Sequence, residues 1–362
     1  MRRLSVAFVF LLFVGAIFAA TDSLSAPKPQ QKSFFKSVVH GVYDFVKDFS
    51  RVDTDYIEPQ HYNFTVMLQN TNTYELYRLK TQNGLSVTFA PEPNIKLGPY
   101  LGWRWVFLGY TVDLIHLNNK DKTEFDLSFY TSQIGVDLFY RRTGNSYKIK
   151  NVYVGEEINT DVMQGLSFDG FNASITGFNL YYIFNHRKFS YPAAFSQSTV
   201  QRRSAGSILL GIGYTKHSLE MDWEKLDQLI TEKLGHVPNR IKLDSTLQFG
   251  KVSYRDLSVS VGYGYNWAFA HNWLLAGSLS AGIGYKTTTG EMHGEKTSFR
   301  DFFFNSLNFD GVGRFGIVWN NTRWYVGASS ILHTYNYRKS QFSTSNMFGN
   351  LNIYFGYNFG KR

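Results

Sequence analysis

The chain has no cysteine, which excludes disulfide staples, thiolate metal sites, a thiol nucleophile and a lipid-modified N-terminal cysteine. Beyond Phe18 no apolar run approaches the ~20 residues that cross a bilayer as a helix, so α-helical insertion past residue 20 is excluded. Chemistry-bearing motifs are equally scarce. There is no Gly-x-Ser-x-Gly elbow, no HExxH and no EF-hand loop, and "GYGYNW" is followed by neither Lys-Ser nor Lys-Thr, as a phosphate loop would require. A 362-residue chain without disulfides must be held by something else.

The N-terminus indicates the compartment. Arg2 and Arg3 precede an uncharged apolar run from Leu4 to Phe18 that ends in Ala19 and Ala20, the layout of a secretory signal peptide. A retained membrane helix is the alternative, but the polar "TDSLSAPKPQQK" that follows reads as a mature N-terminus. Removing Arg2 and Arg3 takes the formal charge from +9 to +7. That balance suits anionic lipid head groups or a polyanion, or simply a solvated surface, since the basic residues are dispersed. Nucleic acid is not an expected partner, because export removes it and the aromatics follow strand spacing.

Aromatics are abundant at 17%, and with 32 Phe and 24 Tyr against 7 Trp they carry a sheet and interface signature. In "LSVSVGYGYNWAF", Leu257, Val259, Val261, Tyr263, Tyr265, Trp267 and Phe269 alternate with Ser, Gly, Asn and Ala. After "AHN" the pattern resumes with Trp273, Leu275, Leu279, Ala281, Ile283 and Tyr285, which predicts a hairpin of long strands. Soluble strands cluster near ~5–6 residues, whereas a tilted membrane strand needs ~9–11. A soluble sandwich would carry charge on its second face; here that face is small and polar, as inside a barrel, and the apolar face suits lipid.

The same grammar recurs from "LSVTFAPEP" to the C-terminal "NLNIYFGYNFGKR" and predicts an all-β transmembrane antiparallel β-barrel of about 12 strands, within a range of roughly 10–14. Parity flips at Thr131–Gln133 and near Leu108 mark either tight turns or bulges. Phasing back from the last strand puts the turns at 319–321 and 270–272 in the periplasm and longer connections at 336–346, 287–302 and 218–254 outside. The aromatic-ended last strand resembles a C-terminal assembly signal, apart from Gly360, Lys361 and Arg362, and makes the barrel assembly machinery an expected partner beside outer-membrane lipid and lipopolysaccharide.

The expected organisation is a signal peptide over 1–20, a flexible linker over 21–32, an amphipathic helix and junction over 33–58, and the barrel over 59–362. The N-terminal periplasmic helix places Phe35, Val38, Val39, Val42, Val46 and Phe49 on one face. A second amphipathic helix, "DWEKLDQLITEKLG", with Trp223, Leu226, Leu229, Ile230 and Leu234, belongs to the longest outer loop and either caps the barrel or binds a partner. "KFSYPAAFSQSTVQRRSAGS", from Lys188 to Ser207, is too long for a periplasmic turn, so either it folds back into the lumen or the phasing is off by one strand.

In that lumenal reading Gln197, Gln201, Arg202 and Arg203, with His186 beside them, are the candidate lumen- or ligand-facing residues. No catalytic residue, metal ligand or cofactor is expected. His217 beside Ser218, His271 and His333 sit in no catalytic motif, and "DTD" at 53–55 lacks the remaining ligands of a calcium loop.

Several segments together carry a family resemblance: "VDTDYI", "GWRWVFLGYTVDL", "FDLSFYTSQIGVDLFYRR", "YYIFNHRKFSYPAAFSQSTVQRRSAGS", and "VSVGYGYNW" followed by "HNW". Over roughly residues 50–360 the chain resembles an uncharacterised Bacteroidota family known as domain of unknown function 4421, with Tyr181–Ser207 the most specific piece. The resemblance implies an outer-membrane β-barrel of a Gram-negative bacterium and no particular activity. Three functions follow as expectations: a structural, binding or small-solute channel barrel; a barrel enzyme acting on lipid or lipopolysaccharide; or a secreted soluble β-protein that binds glycan.

Overall fold

Alternation over 251–289 produces the hairpin it predicts. In the computed structural model, β14 (Lys251–Ala270) and β15 (Trp273–Thr289) pair antiparallel, with Val261 opposite Ala281. The structure describes residues 52–361 apart from 82–83, 104–105, 110–111, 114–122, 145, 156–157, 236–249, 290–306 and 339–341. The expected signal peptide, the linker and the helix over 33–49 lie outside the described residues.

In chain order, the strands before this hairpin begin with β1 (Ile57–Pro59), β2 (Tyr62–Thr81), β3 (Ser86–Pro91), β4 (Asn94–Trp103), β5 (Val106–Gly109) and β6 (Val112–Asp113). They continue with β7 (Thr123–Tyr130), β8 (Ile134–Arg142), β9 (Tyr147–Tyr153), β10 (Ser167–Phe168), β11 (Phe171–Ile183), β12 (Thr199–Gln201) and β13 (Ala205–Met221). After it come β16 (Leu307–Asn320), β17 (Trp324–Arg338) and β18 (Phe342–Lys361). Among the described residues the α-helices are α1 (Tyr191–Phe195) and α2 (Trp223–Leu234).

One antiparallel sheet runs β10-β9-β3-β2-β18-β17-β16-β15-β14-β13-β11-β8-β7, and β4 adds to the lower half of β2 and carries β5 and β6. The sheet curls until side chains from its two ends meet: Glu124 on β7 accepts from Lys96 and Asn94 on β4. Among the described residues the wall comprises β2, β4, β5 with β6 (counted as one strand because both pair with β4 in a single register), β7, β8, β11 and β13 to β18, twelve strands, as the alternation predicts. The parity flip at Thr131–Gln133 is a tight turn, closed by hydrogen bonds between Thr131 and Ile134, while near Leu108 β5 stays in register with β4, Leu108 opposite Leu101.

The faces of the wall are inverted relative to a soluble protein. Leu257, Val259, Val261, Tyr263, Leu279, Ile283, Phe315 and Ile353 point outward and are each at least 50% exposed, while Asp137, Arg141, Asp256, Lys286 and Arg314 point inward and are buried. Water would penalise that apolar band; a hydrocarbon layer stabilises it. Aromatic rings gather at the short-turn end, where Trp267, Phe269 and Trp273 form one chain and Trp324, Tyr357, Phe359 and Phe64 another, the girdle expected at a membrane interface. Val261→Arg, in the middle of this band, is expected to lower stability in lipid vesicles by about 2–4 kcal/mol, with a smaller loss for Trp267→Arg at the girdle. Urea unfolding of the two variants checks the depth dependence.

The two ends differ. The turns at 131–133, 271–272 and 321–323 are short and lie together, the pattern expected of a periplasmic end. At the other end β17 and β18 stay paired out to Arg338 and Ser343, so most of the span expected as a connection over 336–346 is strand. Its Tyr, Asn, Ser and Thr residues continue the ladder after apolar alternation stops, because strand pairing does not need lipid. Above the wall, β3, β9 and β10 extend the sheet from the upper part of β2 and fold over the mouth. Phe89, Phe168, Phe171, Tyr77 and Tyr147 pack there with Leu219, Met221 and Val252 from β13 and β14.

The second amphipathic helix forms as its sequence predicts. Asp222 caps its N-terminus by accepting from Lys225 N, Gly235 follows it at φ +75°, and Trp223, Leu226 and Ile230 bury against this same outer cluster. It caps its own protein.

Candidate functional site

The segment Lys188–Ser207 folds back into the lumen from the short-turn end. Ser190 caps α1 by accepting from Ala193 N, and Pro192 supplies a φ already suited to a first helical turn. Tyr191, Ala193 and Ala194 are buried, the alanines against Leu274, Ala276, Val318, Tyr325 and Tyr354 of the wall. Small side chains are needed here because the helix lies directly on the strands.

Two of the candidate residues hold this plug. Gln197, at a left-handed φ of +58°, donates to Ala194 O and Tyr354 Oη and accepts from Asn320 Nδ2. Gln201 accepts from Ser190 N and Asn266 Nδ2, and donates to Tyr56 O, Lys188 O and Arg203 O. Every polar atom of both amides is thus spent on the protein itself.

Arg202 sits at the rim, paired with Glu58 and donating to Asn272 Oδ1 at 2.6 Å. There β1 pairs with β12, Glu58 opposite Val200. Against partial burial, which raises it, hydrogen bonds from His61 and Arg202 hold the Glu58 carboxyl below its usual range. Arg203 is exposed and, with Lys188, lies over the Tyr56 ring. Asp53 and Asp55 of "DTD" form the turn that leads into β1, with Asp53 Oδ1 accepting from Asp55 N.

His186 stands apart in the turn after β11, where its Nε2 meets Gln133 Nε2 at 2.9 Å. The amide can only donate, so this ring nitrogen is bare. Partial burial, with Arg187 beside it, holds the imidazole below the ordinary histidine range. The sign follows. The unfolded chain takes up the proton first, so this contribution to stability is full above the unfolded value and declines as pH falls below it. Denaturant midpoints measured between about pH 8 and pH 5 are expected to fall, and His186→Gln removes part of that slope.

Above the plug the lumen is filled by charge. Arg314 on β16 reaches across to pair with Asp137 on β8, which also accepts from Ser128 Oγ at 2.7 Å and Tyr130 Oη at 3.1 Å. The Arg314 guanidinium lies 4.6 Å from the Tyr181 ring centre and 5.9 Å from that of Tyr191, which ties this layer to the plug. Tyr181 lies flat over β8 because position 135 is glycine; a Cβ there would fall 2.1 Å from the ring.

Arg141 pairs with Asp126 at 2.9 Å and Glu75 at 3.8 Å, and stacks on Phe348. Nearer the outer mouth, Lys286 Nζ lies 3.1 Å from Asp310 and 3.5 Å from Asp256. Beside it, His217 stacks on Tyr254, and Tyr254 accepts from Asn346.

Single-residue reasoning overlooked these pairs. Strand parity marks Asp137, Arg141, Asp256 and Arg314 as inward, and a charge on the inward face of a membrane strand is the signal that would have found them. Of the histidines considered for catalysis, His217 meets Thr215 and Asn346 rather than a carboxylate, and Ser218 bonds Ser253 on the neighbouring strand. Among the described residues the histidine–carboxylate contact lies elsewhere, between His61 and Glu58 at the rim. No group of three or more His, Asp and Glu able to hold a metal occurs among the described residues.

A lipid-facing antiparallel barrel with a polar lumen, an interfacial aromatic girdle, short turns at one end and longer excursions at the other defines an outer-membrane β-barrel protein, here one with a plug. Within that class, the chain belongs to the DUF4421 family, a domain of unknown function, which it matches over residues 51–359. No curated protein matches it in sequence.

Among solved structures it is similar to the outer membrane protease OmpT from Escherichia coli, at 7% identity and a TM-score of 0.32, over 82% of this chain and 97% of that one. It is also similar to the translocator domain of the autotransporter NalP from Neisseria meningitidis, at 9% identity and a TM-score of 0.31, over 90% and 95% of the two chains. The toluene transporter TodX from P. putida follows at 9% identity and a TM-score of 0.23, over 83% and 91%.

Proposed function

We propose that this protein is a closed outer-membrane barrel that acts as a structural or binding element and does not conduct solutes in its resting state. The observation that carries this is the filling of the lumen at three heights: the α1 plug, the Arg314–Asp137 and Arg141–Glu75 layer, and the outer cluster under β3, β9, β10 and α2.

It reaches the membrane by signal-peptide export with loss of residues 1–20, is inserted by the barrel assembly machinery, and meets lipid and lipopolysaccharide along its apolar band. The exposed basic residues Arg203, Lys188 and Arg187 give its periplasmic rim affinity for anionic head groups.

A second reading, a gated small-solute channel, draws on the charged rather than apolar lumen. Buried ion pairs add little stability over a well-packed apolar core, so a polar interior is better suited to being wetted. Planar-bilayer recording on the purified full chain separates the two. The closed barrel leaves the current at baseline at moderate voltage, and steady conductance steps in wild-type protein would sink the proposal in favour of the channel.

A further inference from the structure

Asn70 and Asn72 of β2 share the outward parity of Phe64, Val66 and Leu68, all exposed on the lipid face. Register fixes their neighbours: Asn70 lies between Leu97 of β4 and Ile353 of β18, and Asn72 between Ile95 and Leu351. Further down β2, Phe64 lies between Trp103 and Phe359 and belongs to the girdle. Six and eight residues along a tilted strand put the two amides about 14 and 19 Å above that girdle, inside an apolar band about 25 Å tall. On β14, by contrast, every outward position from Leu257 to Phe269 is apolar or aromatic.

An amide in hydrocarbon has no water to bond and must find its partners in protein. Part of the need is met within the barrel, where Asn72 Nδ2 donates to Asn70 Oδ1 at 2.7 Å and Asn70 Nδ2 to Lys96 O at 3.2 Å. Asn72 Oδ1 and one hydrogen on each amide nitrogen have no partner among the described residues. Acyl chains supply neither donors nor acceptors, and a lipid head group sits at the interface rather than about 14 Å beyond the girdle.

A second barrel can supply both. Two copies stand in the membrane with the same end toward the periplasm, so a two-fold axis relating them runs along the membrane normal and each residue meets its counterpart at the same height. A carboxamide suits that symmetry because it donates and accepts, whereas a charged residue would meet its own charge. We propose that the outward face of β4, β2 and β18 is a self-association surface for a second copy of this chain, with the Asn70 and Asn72 amides of the two copies hydrogen-bonded across the axis. Leu68, Leu97 and Ile353 around them supply the apolar packing. The contact also braces the join between β2 and β18, the first and last strands of the wall, which no turn connects.

Sedimentation equilibrium of the purified full chain in detergent micelles should show a monomer–dimer equilibrium, weakened tenfold or more in Asn70→Leu with Asn72→Leu. The chain has no cysteine, so single-cysteine variants report the face. In lipid vesicles, copper-phenanthroline oxidation of Leu351→Cys, opposite Asn72, should give a disulfide-linked dimer, and Val261→Cys, four strands round the wall on β14, should not. Heat-modifiable gel mobility reports that each variant folds, and Asn72→Leu alone serves if the double variant does not. A wild-type chain that stays monomeric, or equal cross-linking at the two cysteines, overturns the surface. A trimer would set unlike faces together and overturns the two-fold pair. Undiminished association in the folded leucine variant shows that the amides do not carry the contact, and the proposal falls. None of these readouts depends on whether the barrel conducts.

Discussion

Arg314→Ala is expected to lower the unfolding free energy by about 3–5 kcal/mol, the cost typical of removing one partner from a buried ion pair. The loss arises less from the missing attraction than from the charge left behind. Asp137 keeps Ser128 and Tyr130 as donors, but its carboxylate would remain inside the lumen with no cation against it. The guanidinium also fills space between Tyr181 and Tyr191, so alanine leaves a cavity beside the plug as well. Removing both charges together, as Asp137→Leu with Arg314→Met, should lose much less than the single variant, because no unpaired ion remains. Reversible denaturant unfolding in lipid vesicles measures the cycle. A single variant as stable as wild type would mean that Asp137 is solvated and the lumen is wetter than its packing indicates.

The second large effect concerns the plug. Tyr191 is fully buried, its ring lies within 5.3–5.9 Å of Phe195, Tyr181, Phe189 and Tyr130, and its hydroxyl donates to Ser278 Oγ at 2.6 Å. Truncating a buried aromatic to alanine costs about 3–5 kcal/mol. Here the backbone ladder of the wall does not run through α1, so Tyr191→Ala should release the plug locally and leave the barrel standing. The chain has no cysteine, so a single Ala194→Cys gives a clean probe of a side chain that is buried only while the plug is docked. Adding Tyr191→Ala to that background should raise the maleimide labelling rate at least about 100-fold, given a tenfold change per 1.4 kcal/mol. Equal rates in the two backgrounds would show that α1 is held by Gln197 and Gln201 alone.

Much of the architecture was legible because a membrane barrel writes its two environments onto alternate residues. Leu257 to Phe269 and Trp273 to Tyr285 announced strand, facing and hairpin together, since lipid tolerates only one set of side chains on the outward face. The length of Lys188–Ser207 signalled its return into the lumen, because a periplasmic turn needs only a few residues. It did not signal that Gln197 and Gln201 would spend every bond on the plug itself. Nor did it show that His186 would stand apart from them, bonded to Gln133 in the turn between β7 and β8. The β3 strand, in "LSVTFAPEP", reads like a wall strand yet folds over the mouth with β9 and β10, because alternation records that a strand has two unlike faces and not whether lipid or another layer of protein covers one of them.

The sequence by itself determined a disulfide-free membrane barrel of about twelve strands, with its short turns on one side. All of that is local: period, length, charge and turn residues act within one hairpin. Only the tertiary structure decided that Arg314 meets Asp137 from strands 177 residues apart, that Arg141 meets Glu75, and that Lys286 sits between Asp256 and Asp310. Parity tells which side chains enter the lumen, but their height and direction inside it depend on the tilt and stagger with which the whole sheet curls, a property of all the strands together.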